Sequence, residues 1–229
     1  MQLKVTILIC VVAEMTGIIC ASSLSTIDRH VTWQQYQNVS GCIAALNDPA
    51  RDEHQKPTEV LAALQIASGE VIADVGAGLG YFSFRLAGLV GRQGHIYAID
   101  TSTQMIRHLA EQISEQRLTN VTPILALPND PMLIESVDRF LIANTWHEID
   151  NHPAYLARIR EHLVRNGQVI MIDYFKRELP VGPSPENKIA KMDLISQMQE
   201  AGFELSMEYT FLPYQYFLVF SDSSSSRTT

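Results

Sequence analysis

The order of hydrophobic and polar positions predicts strands that alternate with helices from residue 71 onwards. Val71–Val75 is a short apolar run after a Ser-Gly turn, which is typical of a buried strand. The predicted strands are residues 71–75, 96–99, 121–126, 137–143 and 169–173, and the predicted helices are residues 81–90, 103–116, 153–164 and 188–201. Strands separated by helices need crossover connections, so the pattern predicts an α/β domain with a mostly parallel sheet.

The pattern changes on both sides of this alternation. Residues 24–50 have helix-like apolar spacing, and a short helix is predicted over residues 58–66 after Pro57. Two more strands, near residues 203–209 and 214–220, follow with no helix between them, which predicts an antiparallel hairpin. The predicted segments are a leader (1–21), a helical N-terminal lead-in (22–57), one α/β domain (58–220) and a disordered, Ser-rich tail (221–229).

The leader has the order of a secretory signal peptide. A basic start precedes the apolar run Val5–Ala13, and Ala21 is a small residue ahead of two serines. Cleavage after residue 13 is a second possibility. Glu14 argues against a membrane-spanning helix, which needs about 20 apolar residues. We expect an exported chain, periplasmic or secreted, with no stable membrane insertion after processing; the alternatives are a membrane-anchored or a cytoplasmic chain.

Composition and charge narrow the function classes. Hydrophobic residues make up 46% of the 229 residues, which suffices for a sizeable core and excludes a disordered or fibrous chain. The net charge of −8 repels phosphate backbones, so no nucleic-acid partner is expected, and neutral or cationic small molecules fit better. Three cysteines do not form a disulfide framework, and no Cys/His cluster has the spacing of metal ligands.

The turn Asp74-Val-Gly-Ala-Gly-Leu-Gly80 is the strongest chemical signal. It follows a predicted strand and opens a helix, which places it at the carboxyl edge of the sheet, where ligands bind in open α/β folds. Asp100 ends the next strand, 20 residues after Gly80. A carboxylate at that position can accept hydrogen bonds from ribose hydroxyls, so the sequence predicts a nucleotide or nucleoside ligand.

The charge and spacing of this turn distinguish two ligand classes. A dinucleotide fingerprint reads G-x-G-x-x-G, but this turn reads G-x-G-x-G and carries Asp74, which would repel a pyrophosphate. S-adenosylmethionine has no phosphate and carries a sulfonium and an ammonium, which a carboxylate attracts. The turn therefore favours S-adenosylmethionine, and a nicotinamide-dependent reductase is the less favoured alternative.

Four segments resemble class I S-adenosylmethionine-dependent methyltransferases. Residues 74–82 resemble motif I of that family, and Ile96–Asp100 resembles its second-strand motif. Val137–Asn144 and Leu163–Asp173 resemble the fourth- and fifth-strand segments. The resemblance implies a Rossmann-like three-layer sandwich with a seven-stranded, mostly parallel sheet of order 3-2-1-4-5-7-6, in which strand 7 is antiparallel.

Two flanking segments resemble a narrower bacterial subgroup of this family. That subgroup carries D-P-x-R-D followed by Q-K-P before motif I, here Asp48–Asp52 and Gln55–Pro57. It also carries a terminal L-P-Y-Q-Y-F-L-V-F, here Leu212–Phe220. The subgroup often has Trp before Q-K-P, and this chain has His54 instead.

The resemblance implies roles for individual residues. The glycines of motif I bring backbone close to the methionyl part of the cofactor, Asp74 orients the turn and favours the cofactor's ammonium, and Asp100 binds the ribose. Met105 covers the adenine or, alternatively, is a plain core residue. The expected cofactor-binding residues are Asp74, Gly76, Ala77, Gly78, Tyr81, Asp100, Thr101, Met105 and Asn144.

The strand ends supply candidates for contact with a methyl acceptor. His147 follows predicted strand 4 and could deprotonate or orient the acceptor, although a capping role is the alternative. Asp173-Tyr174 ends predicted strand 5 on the same edge. We expect methyl transfer from S-adenosylmethionine to a small or medium organic acceptor, with a catalytically silent cofactor-binding protein as the alternative. The accepting atom and the oligomeric state are left open.

Overall fold

The computed structural model describes residues 48–222. The predicted leader, most of the helical lead-in and the tail from residue 223 lie outside the described residues. Cleavage of the leader and export of the chain therefore stay predictions. None of the helices within residues 48–222 is long and apolar enough to cross a membrane.

A seven-stranded sheet forms the middle of the domain, in the order β3-β2-β1-β4-β5-β7-β6. Its strands are β1 (Val71–Val75), β2 (His95–Asp100), β3 (Val121–Leu125), β4 (Val137–Ala143), β5 (Leu163–Tyr174), β6 (Phe203–Tyr209) and β7 (Gln215–Asp222). The first five strands pair in parallel, and β7 pairs antiparallel with β5 and β6. The strand order and the antiparallel seventh strand implied by the family resemblance are confirmed.

Six α-helices accompany the sheet within the described residues. They are α1 (Arg51–Gln55), α2 (Pro57–Leu64), α3 (Ser83–Val90), α4 (Thr103–Glu115), α5 (His152–His162) and α6 (Lys191–Glu200). The side chains of the residues just before two of these helices cap their first turns. Ser102 caps α4 by accepting from the Met105 amide, and Asn151 caps α5 by accepting from the Ala154 amide.

Residues that are adjacent in β1 point to opposite faces of the sheet, and each face has its own core. Ile72 packs in a cluster with Leu86 of α3, whereas Ala73 packs in a second cluster with Leu156 of α5. The sheet is therefore covered on both sides, as the near-continuous apolar strands predict. This is the three-layer sandwich.

The register of the central strands brings their carboxyl ends together. Val75 at the end of β1 lies opposite Ile99 of β2 and Ile142 of β4. Tyr174 at the end of β5 lies opposite Gln215, the first residue of β7. The segments that follow β1, β2, β4 and β5 and the segment before β7 therefore meet at one edge.

Several element boundaries differ from the predicted ones, and two of these differences have a clear structural reason. The helix predicted over residues 153–164 ends at His162, because Leu163 begins β5 by pairing with Val137 of β4. The helix predicted from residue 188 begins at Lys191, since Lys188 and Ala190 have extended backbone after a single 3-10 turn.

Candidate active site

A cleft of about 1190 Å³ opens at the carboxyl edge of the sheet. Pockets for single drug-sized ligands span roughly 300–1,000 Å³, so this cleft has room for a cofactor and a second molecule. Seven of the predicted site residues line it: Gly76, Gly78, Asp100, Thr101, Met105, Asn144 and His147. The structure thus brings together residues from the ends of β1, β2 and β4.

The glycine-rich turn is fastened to the neighbouring strand by its backbone. The amides of Gly76 and Ala77 both donate to the Ile99 carbonyl, at 2.8 and 2.9 Å. Gly76 has a φ of +72°, and a Cβ built there would lie 2.1 Å from the Thr145 hydroxyl oxygen. Both facts require glycine, because an L side chain there would be strained and would overlap the segment after β4.

Asp100 connects the turn to the segment that opens α4. Its Oδ2 accepts a hydrogen bond from the Gly78 amide at 2.9 Å, and its Oδ1 accepts one from the Ser102 amide at 2.8 Å. Burial raises the pKa of Asp100, and the hydrogen bonds from these backbone amides oppose part of that rise. The carboxylate lines the cleft with its two oxygens oriented by backbone.

Three predicted cofactor-binding residues lie outside the cleft lining. Asp74 is only 3% exposed and accepts a hydrogen bond from the Ser83 hydroxyl at 2.5 Å, and burial raises its pKa to about 6. Ala77 is buried in the core beneath the turn. The Tyr81 hydroxyl donates to Asp52 at 2.6 Å. These residues support the turn from behind.

Cations cover the ring of Tyr81 from the subgroup segment and from α3. The guanidinium carbon of Arg51 lies 3.9 Å from the ring centroid, and that of Arg85 lies 4.4 Å from it. Arg85 also forms an ion pair with Asp52 at 3.2 Å. The D-P-x-R-D segment is thereby packed against motif I.

Asn144 forms the corner at the end of β4. Its φ of 57° lies in the left-handed region, which Asn adopts more readily than most residues. Its Oδ1 accepts a hydrogen bond from Gln215 Nε2 at 2.5 Å, and its backbone amide donates to the Ile172 carbonyl at 2.7 Å. The corner is therefore fixed by both β5 and β7.

His147 and Asp173 form a buried pair in the cleft wall. His147 Nδ1 lies 2.8 Å from Asp173 Oδ1, and the His147 backbone amide donates to Asp173 Oδ2 at 3.2 Å. The two side chains are only 4% and 2% exposed. Because the carboxylate engages Nδ1, it fixes the orientation of the ring and leaves Nε2 on the far side.

Burial and charge shift the pKa of His147 in opposite directions. Burial alone would lower the pKa of His147, but the charge of Asp173 and the hydrogen bond to it outweigh burial and raise it. Glu148 Oε1 lies 3.6 Å from His147 Nε2. Burial, reinforced by the charge of Asp173, raises the pKa of Glu148 to about 8, so its acid form is favoured at neutral pH.

We expect the pKa of His147 to lie above 6.5 in the folded chain and to fall below 6.5 in Asp173→Asn, where burial dominates. NMR titration of the imidazole resonances measures this directly. The pair stabilises the fold fully below pH 6.5, and this contribution fades as the pH rises through the folded-state pKa. His95, whose pKa burial lowers, lies at the start of β2 and should titrate identically in both proteins. An unchanged His147 titration in the variant would contradict the pairing.

Several residues that line the cleft were not predicted from the sequence. They come from α1, from the loop after β5 and from the segment before β7, and include His54, Gln55, Pro180, Val181, Pro183 and Pro213. The two subgroup segments that flank the methyltransferase motifs indicated His54, Gln55 and Pro213, whereas Pro180, Val181 and Pro183 belong to no motif. Among residues 48–222, no group of three or more His, Cys, Asp or Glu side chains is placed to hold a metal ion.

Comparisons with known proteins show the family to which the chain belongs. The profile of a family described as a methyltransferase domain matches residues 66–209, which is more than half of the chain. An aminocarboxypropyltransferase from Methanocaldococcus jannaschii, acting on tRNA(Phe) 4-demethylwyosine(37) at C(7), is 37% identical over 73 residues. These residues are 32% of this chain and 29% of that relative. The chain spans between 26% and 62% of the curated relatives it matches.

Solved structures share the fold over most of the chain. A SAM-dependent methyltransferase from Aquifex aeolicus superposes with a TM-score of 0.74 and is 26% identical, covering 79% of this chain and 97% of that one. The glycopeptide N-methyltransferase MtfA, solved with S-adenosylmethionine, superposes with a TM-score of 0.60 at 12% identity, covering 72% of this chain and 86% of that one, and it shows the fold alone. This chain belongs to the methyltransferase-domain family, and its fold and cofactor are those of the S-adenosylmethionine-dependent methyltransferases.

Proposed function

We propose that this protein transfers a methyl group from S-adenosylmethionine to a hydroxyl or amino group of a small organic acceptor. The observation that carries the proposal is the His147–Asp173 pair, whose histidine lines the same cleft as the glycine-rich turn and Asp100. A base is needed only where the accepting atom carries a proton, so its presence favours O–H and N–H acceptors.

The charges of the cleft fit the cofactor. Apart from Glu148, whose acid form is favoured at neutral pH, its lining includes the four carboxyl groups of Asp48, Glu53, Asp100 and Asp150, against the single guanidinium of Arg51. Such a lining favours a sulfonium and an ammonium and disfavours a pyrophosphate. Asp100 would hold the ribose, and the backbone of Gly76 and Gly78 would lie along the methionyl part.

The cofactor supplies an electrophilic methyl group, and the chain's own residues have to position the acceptor and accept its proton. Asp173 holds Nδ1 of His147, so that Nε2 is the nitrogen that can take the proton from the acceptor. The imidazolium that results is stabilised by the adjacent carboxylate. Glu148 Oε1 lies 3.6 Å from Nε2, and burial raises the pKa of Glu148 to about 8.

Two other functions stay open as alternatives, and each makes a different demand on the cleft. A catalytically silent relative would bind the cofactor without needing an oriented base. A nicotinamide-dependent reductase would need a site for a pyrophosphate, and the turn offers G-x-G-x-G beside the carboxylate of Asp100, which lines the cleft. The second alternative is therefore disfavoured by charge.

Calorimetry with three ligands separates these functions. We expect the full chain to bind S-adenosylmethionine and S-adenosylhomocysteine with micromolar affinity and not to bind NAD. Transfer of labelled methyl to a panel of phenols and aromatic amines then distinguishes an enzyme from a silent binder. His147→Gln should slow that transfer by roughly 10²–10⁴-fold without changing S-adenosylhomocysteine affinity. If neither S-adenosylmethionine nor S-adenosylhomocysteine binds at millimolar concentration, the proposal is overturned.

A further inference from the structure

The two subgroup segments, far apart in the chain, meet at one end of the cleft. His54 and Gln55 come from α1, and Pro213 and Tyr214 come from the segment before β7, and all four line the cleft. The rings of His54 and Tyr214 lie 5.9 Å apart, centroid to centroid. This end therefore has walls that the cofactor-binding turn does not supply.

Gln55 has a polar atom with no partner in this wall. The residue is 3% exposed, and its Oε1 has no hydrogen-bond partner. Its side chain hydrogen-bonds Tyr174, which opposes the burial that raises the pKa of Tyr174 to about 12. Buried carbonyl oxygens are nearly always paired in native proteins, so an unpaired one in the wall of a cleft indicates a missing donor.

Tyr174 lies between this carbonyl and the base. Its side chain bonds Gln55, and its ring centroid lies 6.5 Å from that of His147. The adjoining wall is apolar and comes from the loop after β5, with Pro180, Val181 and Pro183. A molecule bound here would meet aromatic and apolar surfaces along its body and polar atoms at its two ends.

We propose that this end of the cleft is an acceptor subsite for an uncharged aromatic compound with two hydrogen-bond donor groups. Gln55 Oε1 accepts from one hydroxyl or amino group, the ring packs against Tyr174 and Tyr214, and the other group faces His147. The inference rests on the proposed function, because the methyl group goes to the end that faces His147. There an O–CH₃ or N–CH₃ bond forms as the S–CH₃ bond of S-adenosylmethionine breaks, the electron pair leaves with S-adenosylhomocysteine, and the proton of the acceptor group passes to Nε2 of His147.

The test uses the full chain saturated with S-adenosylhomocysteine and four probes with the same ring: 4-aminophenol, 4-methoxyphenol, 4-methoxyaniline and 1,4-dimethoxybenzene. Calorimetry should show 4-aminophenol binding at least tenfold more tightly than 1,4-dimethoxybenzene, because a site built to accept a hydrogen bond rejects analogues that lack the donor. The two intermediate probes show whether the hydroxyl or the amine is preferred.

Gln55→Leu should reduce the preference, because only the donor that faces His147 then has an acceptor, and should leave S-adenosylhomocysteine affinity within twofold of the parent. Gln55→Glu keeps acceptor oxygens at the position and should retain the preference, which guards against misfolding of the Leu variant. Gln199 is exposed on α6, so Gln199→Leu is the matched control and should behave as the parent.

The outcomes separate the two proposals. Failure of the parent chain to bind S-adenosylhomocysteine would overturn the proposed function itself. Normal S-adenosylhomocysteine binding, together with no binding of any probe or with an unchanged preference in Gln55→Leu, would overturn the acceptor subsite alone.

Discussion

Gly76→Ala should abolish measurable S-adenosylhomocysteine binding and destabilise the fold by about 2–5 kcal/mol. A left-handed conformation costs an L residue about 1–2 kcal/mol, and overpacking a well-packed position costs about 1–3 kcal/mol more. The added Cβ would lie 2.1 Å from the Thr145 hydroxyl oxygen and 2.7 Å from Thr145 Cβ. Relief requires the turn after β1 to move away from the segment after β4, which displaces the backbone that must approach the cofactor.

Gly69→Ala is the matched control for this substitution. Gly69 has a φ of +93°, and a Cβ built there meets nothing within 4 Å. The free energy of unfolding of Gly69→Ala should therefore fall only by the conformational cost, and the variant should keep its affinity for S-adenosylhomocysteine. Urea unfolding measures the stabilities, and calorimetry measures the affinities. Equal losses of stability in both variants, with cofactor binding intact in Gly76→Ala, would show that the contact with Thr145 does not constrain the turn.

The sheet and the cofactor half of the site could be predicted because their signals are local in the sequence. A buried strand is a short apolar run, and the turn after β1 needs glycine at positions that the next few residues already define. The position of Asp100 in the site is also predicted from local sequence, since it ends the strand that pairs with β1. Each of these features is specified within about 30 residues, the length of one strand–helix–strand unit.

The acceptor half could be predicted only in part. The sequence predicts His147 and Asp173-Tyr174 as separate candidates at this edge, but their direct contact arises only from the pairing of β4 with β5. Gln55 and Tyr214 are further apart still, because one precedes the strands β1–β5 in the sequence and the other follows them. The resemblance to the bacterial subgroup identified both segments, but nothing in their spacing predicts that they meet.

Asp74 illustrates how an electrostatic argument depends on strand geometry. The sequence places a carboxylate beside the turn, and its charge suits a cationic cofactor. Side chains alternate along a strand, so Asp74 faces the same side as Ile72, toward α3, where Ser83 binds it. Protein atoms therefore separate the carboxylate of Asp74 from the cleft, whereas that of Asp100 lines the cleft directly.

The boundary between α5 and β5 depends on tertiary structure in a similar way. Leu163 and Val164 continue the apolar spacing of the helix, and they are equally suited to a strand. The pairing of Leu163 with Val137 decides for the strand, at the point where the β4–β5 register shifts. Because the two residues suit a helix and a strand equally well, the local sequence pattern could not distinguish between these structures.

Asp100→Ala should weaken S-adenosylhomocysteine binding by roughly 100-fold or more. Hydrogen bonds to a charged group contribute about 1.5–3 kcal/mol each, and the family resemblance assigns both ribose hydroxyls to this carboxylate. The substitution also releases the amides of Gly78 and Ser102, so the turn loses its connection to α4. Asp100→Asn should not rescue binding, because either orientation of its amide places an NH₂ group against one of these two backbone N–H groups.

The control for Asp100 is a carboxylate with the same kind of contact at the other edge of the sheet. Asp138 Oδ2 accepts a hydrogen bond from the Val71 amide at 2.8 Å, at the start of β1 rather than at its end. Asp138→Ala should lower the melting temperature and leave S-adenosylhomocysteine affinity unchanged. In the parent chain, affinity should fall on acidification at a higher pH than for an ordinary Asp, because burial raises the pKa of Asp100 and only the ionised form binds. Equal affinities of the parent and Asp100→Ala would remove Asp100 from the cofactor site.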